Sequence, residues 1–102
     1  MVAPGINVQF SEGDSFKKRV APVPGLGYAI TEFLRNWPNL GELICKDIRK
    51  VDLANGGRSY VVVFTRRVHQ VGLMNIFEVP GQEKNLEDYL GTLRETYCGG
   101  KK

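Results

Sequence analysis

The feature that most constrains this fold is the tripeptide Asn55-Gly56-Gly57, which lies between two runs typical of β-strands. An Asn-Gly pair supplies the positive backbone φ angles that a tight hairpin turn requires. The run after it, residues 58–68, is rich in β-branched and aromatic side chains, which favour strands. The sequence therefore predicts an antiparallel hairpin, in which Ile48 faces Phe64.

Flanking segments extend this hairpin into an antiparallel meander. Residues 42–54 have the composition of one long strand, but their apolar side chains change parity partway, so a β-bulge is expected near residues 47–50. A short turn at residues 69–72 leads to a further strand at residues 73–79. Apolar and polar side chains also alternate over residues 6–10, which predicts a separate, half-buried strand.

Two segments have the apolar periodicity of amphipathic helices. Residues 26–37 carry one apolar stripe, and Pro38 ends the pattern because proline disfavours helical geometry in the residue before it. The second helix is predicted to begin with Asn85 as its cap and to stop at Gly99-Gly100. Residues 15–24 contain two prolines and are predicted to form an extended loop.

These elements predict an α+β fold, a single two-layer domain over residues 1–102 with the order β-α-β-β-β-α. Each helix has one apolar face, so both helices are expected on one face of the sheet. A chain of 102 residues can bury a core without a metal or disulfide scaffold. The ends, residues 1–5 and 99–102, are predicted to be flexible.

The central strands are apolar on both faces, and such strands need cover on both sides. If the helices cover one face, then a second copy, another protein or the N-terminal loop covers the other. This pattern predicts a non-enzymatic protein-interaction module, a homodimer whose partner is itself or another protein. The predicted interface residues are Tyr60, Val62, Phe64, Met74 and Ile76.

The distribution of charge predicts an alternative function. The net charge is +3, and no acidic residue occurs between residues 53 and 77, whereas acidic residues outnumber basic ones over residues 78–95. Arginine suits phosphate and aromatic rings can stack on bases, which favours an RNA- or DNA-binding module built on the basic hairpin 46–67. A solvated basic edge that discourages aggregation is the other interpretation. The candidate nucleic-acid-binding residues are Lys46, Arg49, Lys50, Arg58, Arg66 and Arg67.

The sequence contains few residues in patterns typical of a catalytic site. The one histidine, His69, falls at a predicted turn, and no His, Cys or acidic residues have the spacing of metal ligands. We therefore predict no catalytic residue, metal or cofactor. A small enzyme or toxin using His69 with Arg66, Arg67 or Tyr60 is the third hypothesis, and it requires His69 to line a cleft.

The two cysteines, Cys45 and Cys98, are far apart and are predicted to be free thiols; a disulfide joining the last helix to a strand is the alternative. No apolar run approaches the roughly 20 residues of a membrane span, so no membrane partner is predicted. The first ten residues do not resemble a secretory signal. The expected location is the cytoplasm, or the nucleus or host-cell interior if the protein is viral.

Overall fold

The protein forms a five-stranded mixed sheet with three helices, an α+β fold. The computed structural model describes residues 8–36, 41–67 and 69–99. In chain order the elements are β1 (Gln9–Glu12), α1 (Asp14–Val20), α2 (Leu26–Asn36), β2 (Glu42–Cys45), β3 (Ile48–Asn55), β4 (Arg58–Arg66), β5 (Gln70–Glu78) and α3 (Glu83–Thr96). The strands are arranged in the order β1-β5-β4-β3-β2.

The predicted hairpin is confirmed as the pair β3 and β4. Gly56 and Gly57 form its two-residue turn with φ angles of 63° and 81°, the left-handed geometry that glycine adopts without strain. Because two residues rather than one lie in the turn, the predicted register is wrong by one position. Ile48 pairs with Thr65 instead of Phe64.

The predicted long strand at residues 42–54 is wrong, because the chain reverses direction within it. β2 and β3 are antiparallel neighbours joined by a turn at Lys46 and Asp47, and Lys46 has a φ of 53°. The change of apolar parity that suggested a bulge near residues 47–50 therefore marks a turn. The register irregularity in this pair lies earlier, between Leu43 and Cys45 of β2.

The sheet is mixed rather than purely antiparallel. β3, β4 and β5 form the predicted antiparallel meander, but β1 runs parallel to β5, with Gln9 opposite Gln70. The loop predicted at residues 15–24 is also wrong over its first part, where α1 forms. Phe16 of α1 is completely buried, so tertiary packing stabilises a helix too short to show a clear apolar stripe.

The helices lie on both faces of the sheet, so the predicted two-layer arrangement with both helices on one face is wrong. One face presents Val62 and Phe64, which pack in one core cluster with Ile30 of α2. The opposite face presents Val63, which packs in a second cluster with Leu93 of α3. The chain's own helices thus supply cover to both sides of the apolar central strands.

Helix α2 agrees with its prediction to within one residue, and Trp37 lies outside the described residues. Helix α3 begins two residues before the predicted cap Asn85, after Gln82, and ends at Thr96. Of the ends predicted to be flexible, residues 1–5 and 100–102 lie outside the described residues.

A disulfide joins Cys45 of β2 to Cys98, just after α3, so the prediction of two free thiols is wrong. The Cα atoms are 5.8 Å apart, within the range that a disulfide spans. Because the two cysteines are 53 positions apart in the sequence, local sequence patterns give no indication that they are close in the fold. The pairing depends on two features that the sequence did not predict: the reversal after β2, and the position of α3 on the face that Cys45 shares.

Candidate functional site

Two turns lie side by side at one end of the sheet, which we call the turn end. The first turn contains Lys46 and Asp47, and the second follows Arg66 and Arg67. The backbone N–H of Arg66 donates to the carbonyl oxygen of Asp47 at 2.8 Å, so the two turns are hydrogen-bonded to each other. Folding therefore brings three of the six predicted phosphate-binding cations to one place: Lys46, Arg66 and Arg67.

Asp47 orients the guanidinium of Arg67. The Nε–H of Arg67 donates to Oδ2 of Asp47 at 2.6 Å. This hydrogen bond is the main reason that the pKa of Asp47 is lowered, and the nearby charges of Arg67 and Lys46 act in the same direction, against partial burial. Asp47 therefore stays ionised at neutral pH. Because one of five N–H donors of Arg67 is used and its side chain is 70% exposed, the rest of the fork is accessible to a ligand.

Arg66 has a different environment from its neighbour. Its side chain is half-buried, and Nη1 is a buried nitrogen with no hydrogen-bond partner among the described residues. Leaving a buried charged donor unsatisfied is costly, so such a group calls for a water or ligand oxygen. On the same face, the guanidinium of Arg35 stacks 5.2 Å from the ring centre of Phe10, whose row also contains Val71 and Arg66, and it forms an ion pair with Glu32.

The other predicted nucleic-acid-binding residues do not join this cluster. Arg49 donates to the carbonyl oxygen of Gly41 at 3.2 Å. Lys50 forms a 3.0 Å ion pair with a glutamate of β2 across the strand pair. Arg58 lies at the opposite end of the sheet, beside the glycine turn, where it forms a 3.3 Å ion pair with Glu78. The basic hairpin 46–67 is therefore not one continuous positive surface.

A polar groove lies beside the turn end, on the face that α3 partly covers. It has a volume of about 210 Å³, and we call it the corner groove because the residues that line it come from the corner formed by β1, β5 and the end of β4. Its polar and glycine lining residues are Gln9, Ser11, Thr65, Arg67, Gln70 and Gly72. Arg67 thus belongs both to the basic cluster and to the groove.

Gly72 lies at the bottom of the corner groove, where a side chain would fill part of its volume. A Cβ atom at this position would lie 2.7 Å from Oγ1 of Thr65, closer than real side-chain contacts allow. The same hydroxyl oxygen accepts a 3.2 Å hydrogen bond from the backbone N–H of Gly72. Glycine is therefore required by the close approach of Thr65, and its lack of a side chain leaves space between Thr65 and Ser11.

Several polar side chains in the groove have no hydrogen-bond partner in the part of the chain that the structure describes. The exposed side chains of Gln9, Ser11 and Gln70 form no hydrogen bond with another described residue. Gln9 and Gln70 are register partners on adjacent strands, so their amides lie on the same side of the sheet. The groove therefore offers amide donors and acceptors, hydroxyls and one oriented guanidinium, and sequence patterning gave no signal for this combination.

The predicted self-association residues lie mainly inside the domain. Tyr60, Val62, Phe64 and Ile76 are at most 5% exposed and belong to the core cluster beneath α2, while Met74 is half-buried near α3. A second groove, of about 260 Å³, lies near Tyr60 and Ile76, between α1, the start of α2 and β5. The side chains that were expected to form an open face are therefore packed against the chain's own helices.

His69 is exposed in the turn after Arg67, and it lines neither of these two grooves. Among the described residues, no three His, Cys, Asp or Glu side chains form a group that could hold a metal ion. The enzyme hypothesis required His69 to line a cleft, and its position in the structure gives that hypothesis no support.

Comparisons with known proteins add no family to this picture. No protein-family model matches the chain, and a search of curated proteins found no similar sequence. Within residues 8–36, 41–67 and 69–99, no helix is long and apolar enough to cross a membrane.

Proposed function

We propose that this protein is a non-enzymatic module that binds nucleic acid at the turn end of its sheet. The observation that carries the proposal is the meeting of Lys46 and Arg67 on two hydrogen-bonded turns beside a groove whose polar side chains are largely without partners among the described residues. Arg66 adds positive charge at the same end of the sheet, on the opposite face. Asp47 is the acid nearest to this cluster, and it holds Arg67 in place rather than filling all of its donors.

Binding at this site is expected to be weak and strongly salt-dependent. Phosphate contacts release condensed counterions, which gives a log–log slope of about −0.7 per contacted phosphate for single strands. Two to three contacts at the turn end predict a slope of about −1.4 to −2.1. Substituting Arg67 with alanine should remove about 0.7 from the magnitude of that slope.

The test is fluorescence anisotropy with labelled oligonucleotides over a salt series. Lys46→Ala and Arg67→Ala should each weaken binding several-fold, whereas Arg58→Ala serves as the matched control. Arg58 is also an exposed, ion-paired arginine, but it lies at the opposite end of the sheet. The proposal fails if the wild type does not bind at low salt, or if Arg58→Ala weakens binding as much as Arg67→Ala.

A protein-interaction role, including a homodimer, is our second proposal, but it requires a surface other than the predicted one. Strand β2 lies at an edge of the sheet, and its outer side pairs with no other strand among the described residues. Its Leu43 is 53% exposed, and an open strand edge is a template for pairing with another chain. Light scattering over a concentration series tests this: a dimer that Leu43→Lys dissociates supports it, and a strict monomer removes self-association.

The cytoplasmic location remains a proposal, and the disulfide weighs against it. Disulfides are rare in the reducing cytosol and persist in oxidising compartments. The bond between Cys45 and Cys98 therefore favours an oxidising environment. Determining the oxidation state of the two cysteines in protein from its native source decides between the two locations.

A further inference from the structure

The corner groove is suited to a ligand that combines one negative charge with several hydrogen-bonding edges. We propose that it holds one unstacked nucleotide of a single-stranded nucleic acid, with the phosphate on Arg67 and the base on Gln9, Gln70 and Thr65. This inference rests on the proposed function, and it adds the form of nucleic acid and the residues that recognise more than charge.

The phosphate contact follows from the orientation of Arg67. Because Nε–H of Arg67 donates to Asp47 at 2.6 Å, the edge formed by one N–H of each terminal nitrogen is left for a second anion. A guanidinium presented in this way can donate two parallel hydrogen bonds to a phosphate. Exposed Lys46, in the adjacent turn, adds positive charge for the neighbouring phosphate of the strand.

The base contact follows from the amides and hydroxyls. Gln9 and Gln70 each carry two N–H donors and a carbonyl acceptor, and neither side chain is engaged with another described residue. Bidentate amides match the donor and acceptor edges of nucleobases. The open floor at Gly72 lets such a group approach the Thr65 hydroxyl closely.

The size of the groove argues for a single nucleotide. Its volume of about 210 Å³ is below the roughly 300–1,000 Å³ of pockets that take drug-sized ligands. Bases in a duplex are stacked and paired, so they cannot enter a groove of this kind. Unpaired bases in single strands can be turned outward and hydrogen-bonded along their edges.

The double variant Gln9→Ala/Gln70→Ala tests the inference without removing a charge. We expect about tenfold weaker binding of a ten-nucleotide single strand, from the loss of two or more hydrogen bonds, with an unchanged salt slope. Binding of a duplex, which rests on phosphates alone, should not change. Asn85→Ala is the matched control, because Asn85 is an exposed amide in the first turn of α3, outside the groove. Circular dichroism confirms that each variant is folded.

An abasic strand of equal length and polyglutamate complete the experiment. Wild-type protein that prefers the normal strand over both of them supports the inference. Equal affinity for the abasic strand or for polyglutamate overturns it, as does an unchanged affinity of Gln9→Ala/Gln70→Ala for single strands. Those results would contradict the groove inference but would remain compatible with nucleic-acid binding through charge alone. If the wild type binds no oligonucleotide at all, the proposed function itself is wrong.

Discussion

Arg67 donates a 2.6 Å hydrogen bond to Asp47, a residue twenty positions earlier in the chain, and thereby joins two turns that belong to different hairpins. The backbone makes a second link between the same turns, from Arg66 N–H to the Asp47 carbonyl. Asp47 thus links the two turns through both its side chain and its backbone, and its side chain orients Arg67. Because Asp47 already restricts the side chain of Arg67, that side chain loses less conformational entropy when it binds a phosphate.

Asp47→Asn should lower the free energy of unfolding at pH 7 by about 0.2–1 kcal/mol, the range of a partly exposed ion pair. Because folding lowers the pKa of Asp47, its stabilisation is present above the unfolded value of about 3.9 and is lost as the pH falls through the lower folded value. Urea denaturation over pH 2–7 measures this. The difference between Asp47→Asn and wild type should vanish in an Arg67→Met background, and a persistent difference would show that the pair is not its cause.

The hairpin and the helical segment at residues 26–37 were predictable because local chemistry decides both. The glycine turn requires positive φ angles, and the apolar stripe of α2 has helical spacing. The reversal at Lys46 was not predictable in this way. Asp47 is a common turn residue, but Lys46, which adopts the positive φ, is not, and tertiary contacts at the turn end support its geometry.

The placement of the helices was wrong for a related reason. An apolar stripe shows that a helix covers something, but it does not show which face of the sheet it covers. The apolar character of both faces around Val63 was visible in the sequence, but the expected cover was a second copy, another protein or the N-terminal loop, and not α3. The basic cluster was predicted in part: Lys46, Arg66 and Arg67 were among the candidate residues, but the ion pairs of Lys50 and Arg58 depend on the fold.

Leu93→Ala tests whether α3 covers the second face of the sheet. Leu93 is 3% exposed in the cluster that contains Val63, so its truncation should lower the free energy of unfolding by about 2–5 kcal/mol. Ile30→Ala, in the cluster beneath α2, should cost a similar amount. Chemical denaturation measures both. If Leu93→Ala lowers the free energy of unfolding by less than about 1 kcal/mol while Ile30→Ala lowers it by the expected amount, then α3 does not pack on the sheet.

Gly72→Ala tests the close approach at the floor of the corner groove. The added methyl group would lie 2.7 Å from Oγ1 of Thr65, so the threonine must move and its hydrogen bond from Gly72 is lost. We expect a destabilisation of about 1–3 kcal/mol, typical of overpacking. In a Thr65→Ala background the cost should be smaller by about 0.5 kcal/mol or more, as expected for residues in direct contact. If Gly72→Ala destabilises the wild type and the Thr65→Ala variant equally, the close contact between these two residues is contradicted.

Removing the disulfide should destabilise the protein more than removing any single surface contact. The bond between Cys45 and Cys98 closes a loop across 53 positions. For a loop of this length the chain-entropy relation gives a contribution to the free energy of unfolding of about 4 kcal/mol, and disulfides typically contribute about 2–4 kcal/mol. Cys45→Ala/Cys98→Ala should therefore unfold at lower urea concentration than oxidised wild type. Reductant should destabilise the wild type to a similar degree and leave the double variant unchanged. Alkylation of the unfolded, unreduced protein, followed by intact mass measurement, should show no added label, and two labels per chain would show that the cysteines are free thiols.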